Sequence, residues 1–141
     1  MANEITVRSG LTVKKNNVNY NASPSGFTTS MSGEGGPYIG TINVTEDGVD
    51  LDLSVIDTPG ICRIQNLDTT AYLQVGTWNP DQSEFYPLLR FKPGESFVFR
   101  LDPDINEEYE GTGTGTSGQL NTTRLKSSSG TIKALVEVFP D

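Results

Sequence analysis

Histidine is absent from the 141-residue sequence, and cysteine occurs once, at Cys62. Without His, the Ser-His-Asp and Cys-His nucleophile systems lack their general base, and His-ligated zinc or iron centres lack their ligand. A single Cys makes neither a thiolate metal cluster nor an intrachain disulfide. Cations are scarce as well: ten Lys plus Arg stand against 18 Asp plus Glu, a formal charge of −8. Phosphate backbones and anionic lipid repel such a chain unless its cations are concentrated, and Lys14-Lys15 is the only adjacent pair. Neither nucleic acid nor membrane is therefore expected as a partner. Apolar residues make up only 34%, and no run approaches the roughly 18 that a membrane span needs. The start, Met1-Ala2-Asn3-Glu4, has neither the basic end nor the apolar stretch of a signal peptide, so no cleaved leader is expected. No cofactor is expected, and no enzymatic activity.

Fifteen Gly and eight Pro, with abundant Ser and Thr, take the place of the missing apolar residues. They punctuate short segments of period two. Val49, Leu51 and Leu53 alternate with Asp50 and Asp52, and Ile42 and Val44 alternate with Thr41, Asn43 and Thr45. Between them, Glu46-Asp47-Gly48 reads as a hairpin turn with Gly available for positive φ. Phe97, Phe99 and Leu101 form one face of a further strand, with Ser96 and Arg100 opposite, and Ile132, Ala134, Val136 and Val138 form the inner face of the last one. Thr58-Pro59-Gly60-Ile61 and Lys92-Pro93-Gly94-Glu95 both carry the Pro-Gly centre of a type II turn. Further strand-like pieces lie at 5–13, 18–21, 27–31, 61–65, 71–75 and 85–91. No window carries a capped helical stripe. The expectation is one all-β domain over 1–141, a β-sandwich or jelly roll of about eight to ten short antiparallel strands.

Two stretches depart from this rhythm. Residues 102–130 hold only Ile105, Tyr109, Leu120 and Leu125 as larger apolar side chains and run from an acidic segment into a Gly-Thr repeat at 111–116. The expectation there is a long polar loop. Residues 1–36 are similarly polar and read as an extended N-terminal segment, with a joint at 33–36.

Ile56-Asp57-Thr58-Pro59-Gly60, Asn66-Leu67-Asp68-Thr69-Thr70-Ala71-Tyr72, Gly76 and Phe91-Lys92-Pro93-Gly94-Glu95, behind a Met1-Ala2-Asn3-Glu4-Ile5 start, resemble a known pattern. It is that of small proteins encoded in the structural-gene clusters of tailed bacteriophages and prophages. The resemblance covers about 1–7, 49–101 and the final strand, and departs at 102–130, where such proteins have a short connection. It implies a virion structural protein, and by analogy a capsid decoration, or cement, protein. Such a protein binds the major capsid protein and itself, as a dimer or trimer. It is made in the bacterial host cytoplasm and resides on the capsid surface. A tail or neck component shares these features; a carbohydrate-binding module is the alternative outside that class.

The shared motifs name turns, not catalytic groups. Trp78, Tyr72, Tyr86 and Asn79, with Phe85, fall around one hairpin and are the expected partner contacts. Asp50 and Asp52 form the tidiest carboxylate pair, on a face that the alternation assigns to solvent. Asp102-Pro103-Asp104-Ile105-Asn106 opens like a calcium loop, but Glu107 and Gly113 stand where Gly and Glu belong, so a solvated acidic loop is expected and no metal. Cys62, inside a strand, reads as a small hydrophobe.

Overall fold

The computed structural model describes residues 5–31, 37–53, 55–56, 58–80, 82–101 and 122–140. Ten strands and no helix are found among them: β1 (Ile5–Lys15), β2 (Val18–Thr29), β3 (Tyr38–Val44), β4 (Val49–Asp50), β5 (Pro59–Asn66), β6 (Leu73–Asn79), β7 (Glu84–Phe91), β8 (Ser96–Arg100), β9 (Thr122–Ser127) and β10 (Ile132–Pro140). The protein is all-β. Eight strands form two four-stranded antiparallel sheets, ordered β3-β10-β5-β8 and β4-β9-β6-β7, and β1 and β2 pair as a separate ribbon. No helix among the described residues is long and apolar enough to cross a membrane.

Side chains from both four-stranded sheets meet in one core, so the sheets pack face to face. Val44, Cys62, Ile64, Val136 and Val138 come from the first sheet, and Leu73, Val75, Phe91 and Leu125 from the second. In β10 the alternation works as expected, with Ile132, Ala134, Val136 and Val138 all inside. Leu51 and Leu53 are likewise buried and Asp52 is exposed, although the ladder itself covers only Val49 and Asp50.

Several expectations need correction. Glu46-Asp47-Gly48 does turn, with Gly48 at φ 92° and its N–H donating to the Thr45 carbonyl, but it does not make a hairpin. It carries the chain from β3 in one sheet to β4 in the other. Alternation is the same for a hairpin and for such an arch, because both keep one face inward. Pro59-Gly60 is not a turn either; it opens β5 opposite Pro140. Proline is tolerated at a strand's first residue, and the Gly60 carbonyl accepts from the Leu101 N–H. The Lys92–Glu95 turn is formed, with Gly94 at φ 79° and the Glu95 N–H on the Lys92 carbonyl.

Phe97 pairs with fully buried Ile64, yet is 56% exposed, because β8 is the outermost strand of its sheet. Within the stretch 102–130, residues 122–127 are not loop. They form β9, paired on both sides by β4 and β6. Its inward positions are Thr123, Leu125 and Ser127, two of them polar, so the apolar alternation that marks a strand is missing. The calcium-like pattern at 102–106 and the repeat at 111–116 lie outside the described residues, as does the joint at 33–36.

The N-terminal pieces join into two long strands around an Asn16-Asn17 turn, with Asn16 at φ 50°, a conformation that Asn tolerates better than other chiral residues. Between the Ser9↔Ser25 and Leu11↔Ala22 pairs, β2 has one residue more than β1, a bulge at 23–24.

Candidate functional site

Two arches, 67–72 and 92–95, and one side chain organise one end of the sandwich. Asn66, at the end of β5, is fully buried. Its amide nitrogen donates to the carbonyls of Ala71 (2.9 Å) and Phe91 (3.3 Å), and its Oδ1 accepts from the Asp68 N–H (3.0 Å). The backbone of Asn66 is equally occupied: its N–H donates to the Glu95 carbonyl and its C=O accepts from Gly94 N–H, both at 3.0 Å. Leu67 N–H adds a bond of 2.9 Å to the Lys133 carbonyl. Asp68 accepts from the N–H groups of Thr70 (2.7 Å) and Ala71 (2.8 Å). Those bonds favour its charged form and hold its carboxyl below the ordinary value, the Ala71 bond contributing most. The Asn-Leu-Asp and Lys-Pro-Gly-Glu segments therefore meet as one hydrogen-bonded unit. Both are architectural.

The residues expected to contact a partner are divided between the two ends of the β6–β7 ribbon. Trp78 pairs with Phe85 and Asn79 with Glu84 at the loop end. Tyr72 precedes Leu73, six residues and about 20 Å away at strand rise. At the loop end, Asn79 Oδ1 accepts from the Gln82 N–H (3.3 Å), and the Tyr86 hydroxyl faces Gln82 Oε1 and Glu84 Oε2 (3.0 Å) with one proton to share. The bond to Glu84 raises the Tyr86 hydroxyl above its ordinary value, so it stays protonated near neutrality.

Three aromatics on or beside this sheet each lie beside a cation. The Arg124 guanidinium is 3.8 Å from the Trp78 ring centroid, Arg90 is 5.4 Å from that of Tyr72, and Lys126 is 5.9 Å from that of Phe85. Register explains the grouping. Leu125 pairs with buried Val75 and points inward, so Arg124 and Lys126 point outward on either side of it. Arg124 also grips Asp50 in a fork, Nε to Oδ1 at 2.6 Å and Nη2 to Oδ2 at 3.1 Å. Gly76 lies in this face, where a Cβ would come within 2.0 Å of the Tyr86 carbonyl oxygen; the bulge in the β6–β7 ladder needs glycine there. Trp78 is thus a half-buried ring covered on one side by Arg124, and Asp50 is an ion-pair partner.

Sequence reasoning named the aromatics but missed Arg90, which the β6–β7 register places, and Arg124 and Lys126, whose placement depends on β9 pairing with β6. It also did not identify Asn66 as the tie between arches. The signal was present in the Asn-Leu-Asp and Pro-Gly turn chemistry, but their adjacency was not.

Cys62 is fully enclosed, and burial pushes its thiol up to about 12, so it carries no thiolate near neutral pH. Among the described residues, no three His, Cys, Asp or Glu side chains stand together as a metal site would require. Comparison with protein-family models, with curated proteins and with solved structures yields no match.

Proposed function

We propose that this protein is a structural component of a tailed-bacteriophage virion, a decoration protein that binds the major capsid protein shell from outside and reinforces it. The observation that carries this reading is the union of the motif segments. Asn66–Asp68 and Lys92–Glu95, far apart in sequence, share reciprocal backbone bonds, so the phage-like pattern describes one structural unit of the fold. The winding supports it too. From β3 to β10, consecutive strands change sheet at 45–48, 51–58, 67–72, 92–95 and 128–131 and again between β8 and β9, and among the described strands of the two sheets only β6–β7 is a hairpin within one sheet. We read the order β3-β10-β5-β8 over β4-β9-β6-β7 as the two interlocked Greek keys of a jelly roll, an architecture found in viral capsid and lectin domains.

The shell-facing surface in this reading is the outer face of β4-β9-β6-β7. Trp78 with Arg124, Phe85 with Lys126 and Tyr72 with Arg90 supply ring area and fixed cations on an otherwise acidic chain. A reinforcing protein of this kind works by bridging neighbouring shell subunits, and two or three joined copies would hold adjacent sites through a high effective concentration.

Imaging of the particle, together with deletion of the gene, tests the proposal. The expected result is density for this chain on the head, and mutant heads that release DNA under heat or chelator earlier than wild type. Density on the tail or neck instead, with heads of unchanged resilience, overturns the decoration assignment. Binding to a glycan panel by a chain absent from intact virions overturns the virion assignment altogether.

A further inference from the structure

The β1–β2 ribbon has two unlike faces. On β1, Ile5, Val7, Leu11 and Val13 share a face, and their partners on β2 are Thr29, Phe27, Ala22 and Tyr20. The reverse face carries Thr6, Arg8, Thr12 and Lys14, with Thr28, Asn21 and Asn19. Among the described residues, only the base of the apolar face is covered. There Ile5 and Val7 line a groove with Ile61, Val98 and Phe139 on the outer side of β3-β10-β5-β8, and Arg100 lies 5.9 Å from the Phe27 ring centroid. Farther out, Leu11 is 57%, Val18 56% and Tyr20 55% exposed. A two-stranded ribbon alone is marginal in water, and this one is about 36 Å long at strand rise over eleven residues of β1. Its distal apolar face calls for a cover that its own sandwich does not supply.

Charge points to what that cover is. Residues 5–29 contain Arg8, Lys14 and Lys15 and no acid, a charge of +3. Residues 37–56 contain Glu46, Asp47, Asp50 and Asp52 and no cation, a charge of −4. Arg124 pairs with Asp50, and the segment as a whole stays acidic. β3, the outermost strand of its sheet, exposes Ile39 at 59%, and the connection that follows β4 exposes Val55 at 68%. A ribbon whose apolar face ends in Lys15 beside Val18, with Lys14 next to it at the tip, and an acidic margin with exposed apolar side chains on an outermost strand are complementary in both respects.

We infer that the β1–β2 ribbon is a self-association arm whose distal apolar face seats on the acidic β3–β4 margin of a second copy of this chain, each copy covering the other. Such an exchange is isologous and closes as a dimer. The inference rests on the ribbon's faces and charges and stands apart from the virion reading.

Sedimentation of the full chain across a concentration series tests it. Wild type should pass from monomer to dimer below about 1 mM, and more weakly as salt rises. Val13→Glu, in the middle of the exposed face, should weaken association by about tenfold or more while leaving the melting temperature of the sandwich in place. Lys14→Glu with Lys15→Glu should behave similarly, as should Asp47→Lys with Asp52→Lys, and mixing these two variants should restore dimers, because each arm then meets a margin of opposite sign. A wild-type chain that stays monomeric throughout overturns the inference. So does a dimer indifferent to Val13→Glu, or a charge-swapped mixture that remains monomeric. Particle binding is scored separately: a monomer that still decorates heads overturns the arm and leaves the proposed function standing, and a dimer that binds no particle does the reverse.

Discussion

The two ends of this molecule use the same period-two code with opposite results. In β10, alternate apolar residues are buried because β3 and β5 flank the strand and a second sheet lies beneath it. In β1, Leu11 and Val13 follow an equally regular alternation and remain in solvent, because the ribbon has two strands and, among the described residues, only its base touches the sandwich. Alternation therefore encodes which side chains share a face. Whether that face is covered depends on how many strands and sheets come to it.

The contrast can be broken most severely at Asn66. Asn66→Ala leaves the Ala71 and Phe91 carbonyls and the Asp68 N–H without their partner inside the sandwich. A loss of about 3 kcal/mol is expected, since each unsatisfied buried group costs about 1–3 kcal/mol. Urea unfolding measures it; a loss within error of zero would mean that the arches hold without this tie.

A pH titration sharpens the same point. The Asp68 carboxyl is held below its ordinary value of 3.8 by bonds from Ala71 and Thr70. Its folded value being lower, the stabilisation is complete above the unfolded value and is lost as pH falls through the folded one. Wild type should therefore lose more thermal stability than Asp68→Asn between about pH 5 and pH 2. Parallel curves for the two chains would contradict the assignment.

A gain is expected at Thr123, whose buried Oγ1 has no hydrogen-bond partner. Thr123→Val keeps the shape and replaces the orphaned hydroxyl with a methyl group. It should raise stability by about 1 kcal/mol, read as a higher urea midpoint at unchanged slope. The smallest effect is expected on the ribbon: Leu11→Ser removes an exposed side chain and should shift the monomer's stability by less than about 0.5 kcal/mol. A loss as large as that at Asn66 would show that the ribbon's distal half belongs to the cooperative unit.

Much of this fold was legible beforehand. Absence of helix, the inner face of β10, the positive φ at Gly48 and Gly94, and the inward Leu51 and Leu53 all follow from local chemistry: side-chain period and glycine's freedom at φ > 0. The aromatic positions of the candidate surface were visible for the same reason. Their cationic partners were not, since Arg124 and Lys126 reach Trp78 and Phe85 only through the β9–β6 register.

By itself the sequence determined that His-based and disulfide chemistry are unavailable, that the chain is built of strands, and which side chains would share a face. Tertiary structure decided the rest. It made 45–48 an arch and not a hairpin, placed Pro59-Gly60 inside a strand, drew the polar segment Thr122–Ser127 between β4 and β6, and left Phe97 on an outermost strand. Each of these is a choice of neighbour. A strand's backbone bonds to whichever strand the core brings beside it, and nothing local to 122–127 records that β4 and β6 would be there to satisfy its amides.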